Sequence, residues 1–256
     1  MSDHLLQEWP AETIAVLRMN RPENYNALSR TLLGDMIAAL KTIRESRARV
    51  LVLAANGRGF CSGADLKERR DLNEDEKYAH NRQINELANE LARMPICTIA
   101  SIGGLAMGGG LEIALACDLR FASTDAVIGL TEARIGAIPG AGGTQRLPRL
   151  IGAARALEMM YSGEPVSAAK AAEWGLVNDV SEPEQLAERV MSFANVVASR
   201  SRSGAAVLKD VVYRGLEKSL ADGLEIERVA IVDLLKSADY REGLTAFAEK
   251  RPPVFS

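Results

Sequence analysis

The strongest constraint on this chain is an asymmetry between its halves. In the first, short runs of branched apolar residues alternate with helical periodicities, whereas from Gly152 to Lys250 the sequence reads as almost unbroken helix. Thr13 to Met19 (TIAVLRM) reads as a strand closed by the turn Asn20-Arg21-Pro22-Glu23-Asn24. Ser29 is placed to cap a helix in which Leu32, Leu33, Met36, Ile37, Leu40 and Ile43 recur at helical spacing, before the buried-strand run Val50 to Ala54. A charged helix over about Glu74 to Arg93 closes at Pro95, and Ile96 to Ala100 follows as another buried strand. Such alternation favours an α/β core of parallel strands joined by crossovers. The tail carries amphipathic segments over Glu184 to Ser199, Ala205 to Leu216 and Leu224 to Leu235, whose apolar faces must be buried on something else, a neighbouring subunit included. The division expected is an α/β core over 1–195 and a helical C-terminal region over 196–256.

With 256 residues, 47% of them apolar and 25% charged, the chain can build one substantial core. No apolar run approaches the roughly 18 to 20 residues of a membrane span. The opening Met1-Ser2-Asp3-His4 lacks a basic segment leading into an apolar block, so no secretory signal or transit peptide is expected. Cys61, Cys97 and Cys117 form no Cys-x-x-Cys pair, which fits a reducing cytoplasm. A net charge of −3 offers little long-range attraction to nucleic acid. His4 and His80 are the only histidines, one in an N-terminal tail and one in a charged helix. A Ser-His-Asp triad and a His-Cys metal cluster are therefore not expected, and no metal is.

Three segments carry candidate chemistry. Gly108-Gly109-Gly110-Leu111-Glu112 puts side-chain-free backbone at a helix start, where unpaired N–H groups face a developing anion and a carboxylate follows at once; read alone, the glycines equally permit a tight turn. The loop Asn56 to Lys67 follows a buried strand and offers further backbone N–H groups, but matches neither the phosphate-loop pattern nor the dinucleotide fingerprint. Glu132 lies in an otherwise apolar neighbourhood that raises a carboxyl pKa on burial, with a structural ion pair to Arg134 or Arg120 as the competing reading.

Taken together, Gly63-Ala64-Asp65-Leu66-Lys67, Gly108 to Glu112 with Cys117-Asp118, and the stretch Ile135 to Leu147 (IGAIPGAGGTQRL) resemble the crotonase, or enoyl-CoA hydratase/isomerase, superfamily. Asn20-Arg21-Pro22, Asn26-Ala27-Leu28 and Phe247-Ala248-Glu249-Lys250-Arg251 extend the resemblance over nearly the whole chain. It implies a spiral of ββα units with two roughly perpendicular sheets, a helical C-terminal trimerisation region, and a homotrimer or a hexamer built from two trimers. It further implies that the backbone N–H groups of Ala64 and Gly109 form an oxyanion hole for a thioester carbonyl. Ala64, Asp65, Leu66 and Lys67 would line the coenzyme A site, with Phe247 and Lys250 near its nucleotide end. Coenzyme A is then part of the substrate, and no separate cofactor is expected.

By the same resemblance Glu112 and Glu132 match the carboxyl pair that flanks the reacting carbons in hydratases, Glu132 delivering a proton to the α-carbon and Glu112 orienting or activating water for the β-carbon. The expected activity is hydration of an enoyl-CoA to a 3-hydroxyacyl-CoA. The alternatives are an enoyl-CoA isomerase, a methylglutaconyl-CoA-type hydratase, and a non-catalytic acyl-CoA- or RNA-binding module. The last is weakened by the helix from Ser29 to Arg49, whose one lysine, four arginines and two acidic residues read as a solvated face.

Overall fold

The computed structural model describes residues 2–256. Its strands are β1 (Leu5–Ala11), β2 (Ile14–Met19), β3 (Val50–Ala55), β4 (Gly59–Cys61), β5 (Cys97–Ile102), β6 (Leu105–Met107), β7 (Leu119–Ser123), β8 (Val127–Gly129), β9 (Val166–Ser167) and β10 (Asp179–Ser181). They form a six-stranded sheet in the order β1-β2-β3-β5-β7-β10 and a four-stranded sheet in the order β4-β6-β8-β9. Strands β2, β3, β5, β7 and β10 pair in parallel, and only β1 joins the larger sheet antiparallel. Each long strand β3, β5 and β7 is followed by a short one, β4, β6 or β8, that crosses to the second sheet before a helix returns the chain. This is the expected two-sheet arrangement of ββα units.

The strands are apolar without alternation because both faces of the large sheet are covered. Leu17, Leu51 and Leu53 point into the core shared with α1 (Arg30–Glu45), α3 (Glu74–Ala92) and α4 (Gly109–Ala116), whereas the short α2 (Leu66–Arg70) buries no residue. Their neighbours Val16, Val50 and Val52 point the other way, beneath Leu186, Val190, Ala194 and Ala198 of a later helix. The Ser29 hydroxyl accepts from Leu32 N–H and caps α1, as its position predicts, while Asn73 and Glu76 form a capping box on α3.

Three differences from the sequence reading concern particular elements. His4 was expected in a tail, yet the chain pairs as β1 from Leu5 onward; only Leu5 of that edge strand is buried, so it carries no alternation to read. The loop expected over Asn56 to Lys67 contains β4, three wholly buried residues too short to show a period. After α5 (Gly143–Ile151), the helices beyond Gly152, α6 (Ala153–Ser162), α7 (Ala168–Glu173) and α8 (Pro183–Ala198), are interrupted by β9 and β10, which complete one edge of each sheet.

The 195/196 division falls in the last turn of α8, whose Ala198 still packs on the sheet. Beyond it, α9 (Arg202–Leu216) and α10 (Leu220–Leu234) bury no residue, and α11 (Ala238–Glu249) buries only Asp239 and Ala246. Polar ties hold this tail to the core. Lys209 Nζ meets Asp118 Oδ2 at 2.9 Å, and Arg49 donates to the Ala198, Arg200, Phe255 and Ser256 carbonyls.

Candidate active site

Between the β4–α2 loop, the β6–α4 turn and the residues around 132–141 lies a cleft of about 500 Å³. Gly63, Ala64, Gly108, Gly109, Glu112 and Glu132 all reach it. The fold thus brings together every group assigned to catalysis from the sequence.

Two backbone turns set up its polar floor. Gly63 has φ +93°, and a Cβ there would stand 2.9 Å from the Met107 carbonyl oxygen and 3.1 Å from Gly109 N. Gly108 has φ +50° and turns the chain into α4. The Ala64 and Gly109 nitrogens consequently lie side by side: a Cβ built on Gly109 would be 3.6 Å from Ala64 N. Among the described residues neither N–H donates to a backbone or side-chain acceptor, although Leu28 pairs on either side of Ala64, its N–H with the Gly63 carbonyl and its carbonyl with Asp65 N–H. Two unpaired donors facing a cleft, one at a helix start, are suited to a developing oxyanion.

Glu112 stands in the first turn of α4 and is 3% exposed. Its Oε1 accepts from Ala141 N–H at 2.6 Å and Gly143 N–H at 2.8 Å. Burial raises its pKa, while those two N–H groups and the Arg146 charge pull the other way without cancelling the rise. The loop carrying the two donors is itself fixed. Arg146 donates from Nη1 to the Ala141 carbonyl at 2.8 Å and from Nη2 to Asn89 Oδ1 at 2.9 Å. Asn89 in turn donates to Asn85 Oδ1 at 2.7 Å, and Asn85 donates to the Gly140 carbonyl at 3.2 Å. These residues were not singled out from the sequence, where asparagines four apart on a charged helix look like solvated surface.

Glu132 opens a 3₁₀ turn, Glu132–Ile135, and its Oε1 would be 3.0 Å from a Cβ on Gly108. Burial pushes its carboxyl pKa up to about 7; its own N–H opposes the shift and the neighbouring Glu112 charge adds to it. The competing ion-pair reading is not what forms. Arg134 pairs with Glu164 at 2.6 Å, and Arg120 donates to the Leu176 and Cys117 carbonyls at 2.8 Å each. Glu132 Oε2 is buried and, among the described residues, has no hydrogen-bond partner. A carboxyl poised near neutrality is suited to giving up a proton.

The residues expected around coenzyme A are placed differently from one another. Leu66 lines the cleft and is exposed beside it, and Lys67 follows on the exposed side of α2. Asp65 turns inward, 6% exposed, where it accepts from Glu68 N–H at 3.1 Å and from Arg21 Nη1 at 3.0 Å. Burial alone would raise its pKa, but those two partners hold the carboxyl below its usual range. Its side chain caps α2 and anchors the loop. Phe247 is 85% exposed on α11, Lys250 caps that helix with φ +54°, and neither lines the cleft of the single chain.

One residue of the charged helix α3 is fully buried. His80 has 0% exposure, and its Nε2 is 2.7 Å from the Leu28 carbonyl oxygen that also receives Asp65 N–H. Its charged sequence neighbours concealed that role. Among the described residues, no three His, Cys, Asp or Glu side chains are grouped closely enough to hold a metal ion, and no helix is long and apolar enough to cross a membrane.

Comparison with known proteins agrees with this geometry. The family model described as enoyl-CoA hydratase/isomerase matches residues 10–256. YngF of Bacillus subtilis (strain 168), whose name carries the same enoyl-CoA hydratase/isomerase description, is 42% identical over 100% of this chain and 99% of its own length. The mitochondrial methylglutaconyl-CoA hydratase of Mus musculus is 38% identical over 94% of this chain and 79% of its own. The crystal structure of an enoyl-CoA hydratase from Bacillus anthracis superposes with a TM-score of 0.97 at 38% identity, covering 98% of each chain. With its paired sheets, its cleft and these matches along its whole length, the chain belongs to the enoyl-CoA hydratase/isomerase family, within the crotonase superfamily.

Proposed function

We propose that this enzyme hydrates the 2,3-double bond of an enoyl-CoA thioester to give a 3-hydroxyacyl-CoA. The observation that carries the reading is the convergence of two desolvated glutamates, Glu112 and Glu132, on a cleft that also holds the unpaired N–H groups of Ala64 and Gly109.

In this reading the thioester carbonyl accepts from Ala64 N–H and Gly109 N–H. Addition of water at the β-carbon builds negative charge on that oxygen, and donors already in position stabilise it without reorganising. Ionised Glu112 takes a proton from the attacking water, whose hydroxyl bonds to the β-carbon. Protonated Glu132 gives its proton to the α-carbon. Water has then been added in full, and one proton moved from Glu112 to Glu132 restores the starting state.

Leu66 and Lys67 beside the cleft would flank coenzyme A. Phe247 and Lys250 would meet its nucleotide end only from another subunit, since neither reaches the cleft of its own chain. The assembly we favour is a homotrimer or a dimer of trimers, supported by α9 and α10 leaving Leu208, Leu216 and Leu220 each at least 66% exposed. A cytoplasmic site of action fits three free cysteines.

The double name of the Bacillus relative favours isomerisation as the second reading, with Glu132 moving a proton along the chain and no water added. Product analysis with crotonyl-CoA and hex-3-enoyl-CoA separates the two. Formation of 3-hydroxybutyryl-CoA from the first supports hydration; migration of the double bond in the second, with no hydroxyacyl product from either, supports isomerisation. Salt-sensitive RNA binding with no turnover would leave only a binding module.

A further inference from the structure

One face of α3 carries asparagines on three successive turns, Asn81, Asn85 and Asn89. Two of them hold the loop that contains Gly140 and Ala141. Asn89 accepts from Arg146 and donates to Asn85, and Asn85 donates to the Gly140 carbonyl. Asn81 is half-buried on the wall of the cleft, and among the described residues its carboxamide makes no hydrogen bond. A polar group withdrawn from bulk water and left unpaired in a cleft is suited to a ligand that completes its bonding.

The place of that amide along the cleft is fixed by Gly140. A Cβ built on Gly140 would be 3.0 Å from Asn81 Oδ1 and 3.2 Å from Asn81 Cγ, so the carboxamide lies against the bare Cα. The next residue, Ala141, donates to Glu112 Oε1 at 2.6 Å, and Gly140 N–H also favours the charged form of that carboxyl. Asn81 is therefore at the Glu112 end of the cleft, one peptide unit from the contact that orients the carboxylate. Glu112 Oε1 is taken up by Ala141 and Gly143, whereas Oε2 has no partner among the described residues and is left for a ligand.

We propose that the Asn81 carboxamide hydrogen-bonds the oxygen that is added to the β-carbon, holding the attacking water and then the 3-hydroxyl group of the product. The proposal rests on reading the cleft as an enoyl-CoA hydratase site. Water brings two O–H groups, of which Glu112 takes the proton of one; the other donates to Asn81 Oδ1 and stays on the product as its hydroxyl hydrogen. Asn81 moves no proton. It fixes the direction of a small nucleophile that a single carboxylate would leave free to rotate.

Two ligands that differ only at the β-carbon test this: 3-hydroxybutyryl-CoA, taken as its tighter-binding enantiomer, and butyryl-CoA. By calorimetry the unmodified protein should favour the hydroxylated ligand. That preference should fall by about 3- to 10-fold in Asn81→Leu, which keeps the branched shape without its polar atoms, and equally in Asn81→Ala. Hydration of crotonyl-CoA by Asn81→Leu should lose about 10-fold in kcat with little change in KM, as expected of a group that meets the water and not the thioester. The binding arm needs no turnover, so a protein that hydrates nothing but loses its hydroxyl preference in both variants keeps the Asn81 assignment and refutes only the hydratase reading. Equal weakening of the two ligands would show that Asn81 merely packs the loop, and would overturn the proposal. So would a hydroxyl preference that survives in both variants, or one that is missing from the unmodified protein.

Discussion

The Ala141 N–H donates to Glu112 Oε1 at 2.6 Å, so the orientation of a candidate catalytic carboxylate is set by a loop and not by its own helix. That loop is held in turn by Arg146 through the Ala141 carbonyl and, by way of Asn89 and Asn85, is tied to α3. Arg146→Met should therefore lower kcat by about 10- to 100-fold with little change in KM, because small misplacements of a reacting group are expensive while binding contacts survive. Asn89→Asp, which keeps an acceptor for Arg146, should lose less than Asn89→Leu. Steady-state kinetics on crotonyl-CoA checks both; a change confined to KM would separate the loop from catalysis.

Glu132 should set the alkaline limb of the pH profile. A proton donor whose pKa burial has raised to about 7 is progressively ionised above neutrality, so kcat/KM should fall as pH rises through about 7. The residual activity of Glu132→Gln should lack that limb. Because Glu112 titrates close by, the limb belongs to the pair, and its position is read from the difference between unmodified and variant profiles.

The same shift predicts a stability effect of opposite consequence. A carboxyl whose folded-state pKa is raised favours the folded state fully below the unfolded value near 4.5 and loses that contribution as pH rises through about 7. Glu132→Gln cannot ionise. Its stability relative to the unmodified protein should thus increase by about 1 to 2 kcal/mol between pH 5 and pH 8, after discounting for the part of the group open to water. Urea unfolding at the two pH values measures it, and a constant difference would mean that Glu132 is not desolvated.

The donors Ala64 N–H and Gly109 N–H survive any side-chain replacement except proline, so their test has to be steric. Gly63→Ala would place a Cβ 2.9 Å from the Met107 carbonyl oxygen at a φ of +93°. It should cost about 1 to 3 kcal/mol of stability and lower kcat at least tenfold by moving the Ala64 N–H. Thermal unfolding together with kinetics shows whether the two losses coincide.

The exposed apolar residues of α9 and α10 predict self-association. Sedimentation equilibrium should return a mass of three or six chains, and Leu216→Glu with Leu220→Glu should shift it downward, since both side chains are at least 78% exposed in the single chain. A monomer at micromolar concentration would contradict the assembly.

What could be read from the sequence follows from how each element is buried. β2, β3 and β5 were legible because the large sheet is covered on both faces, which makes them uninterrupted apolar runs, and α1 and α8 because one face of each is buried. β1 was not, since it lies at an edge with a single buried residue, and β4 and β6 are three residues each. The site divides along similar lines. Glycine-rich turns and the two glutamates are local signals, and the fold unites them. The tie from Asp65 to Arg21 and the burial of His80 against the Leu28 carbonyl depend on residues distant in sequence, and no local pattern encodes them.

The central claim is that Glu112 and Glu132 act together on an enoyl-CoA, and its most direct test is the loss of conjugated-thioester absorbance from crotonyl-CoA with the unmodified enzyme, Glu112→Gln and Glu132→Gln, folding verified by circular dichroism. The account predicts formation of the 3-hydroxyacyl-CoA by the unmodified enzyme and a fall of at least about 100-fold in kcat for each variant, with thioester binding retained. Full hydration by either folded variant would contradict the two-carboxylate mechanism, and binding without hydration by the unmodified enzyme would contradict the hydratase assignment itself.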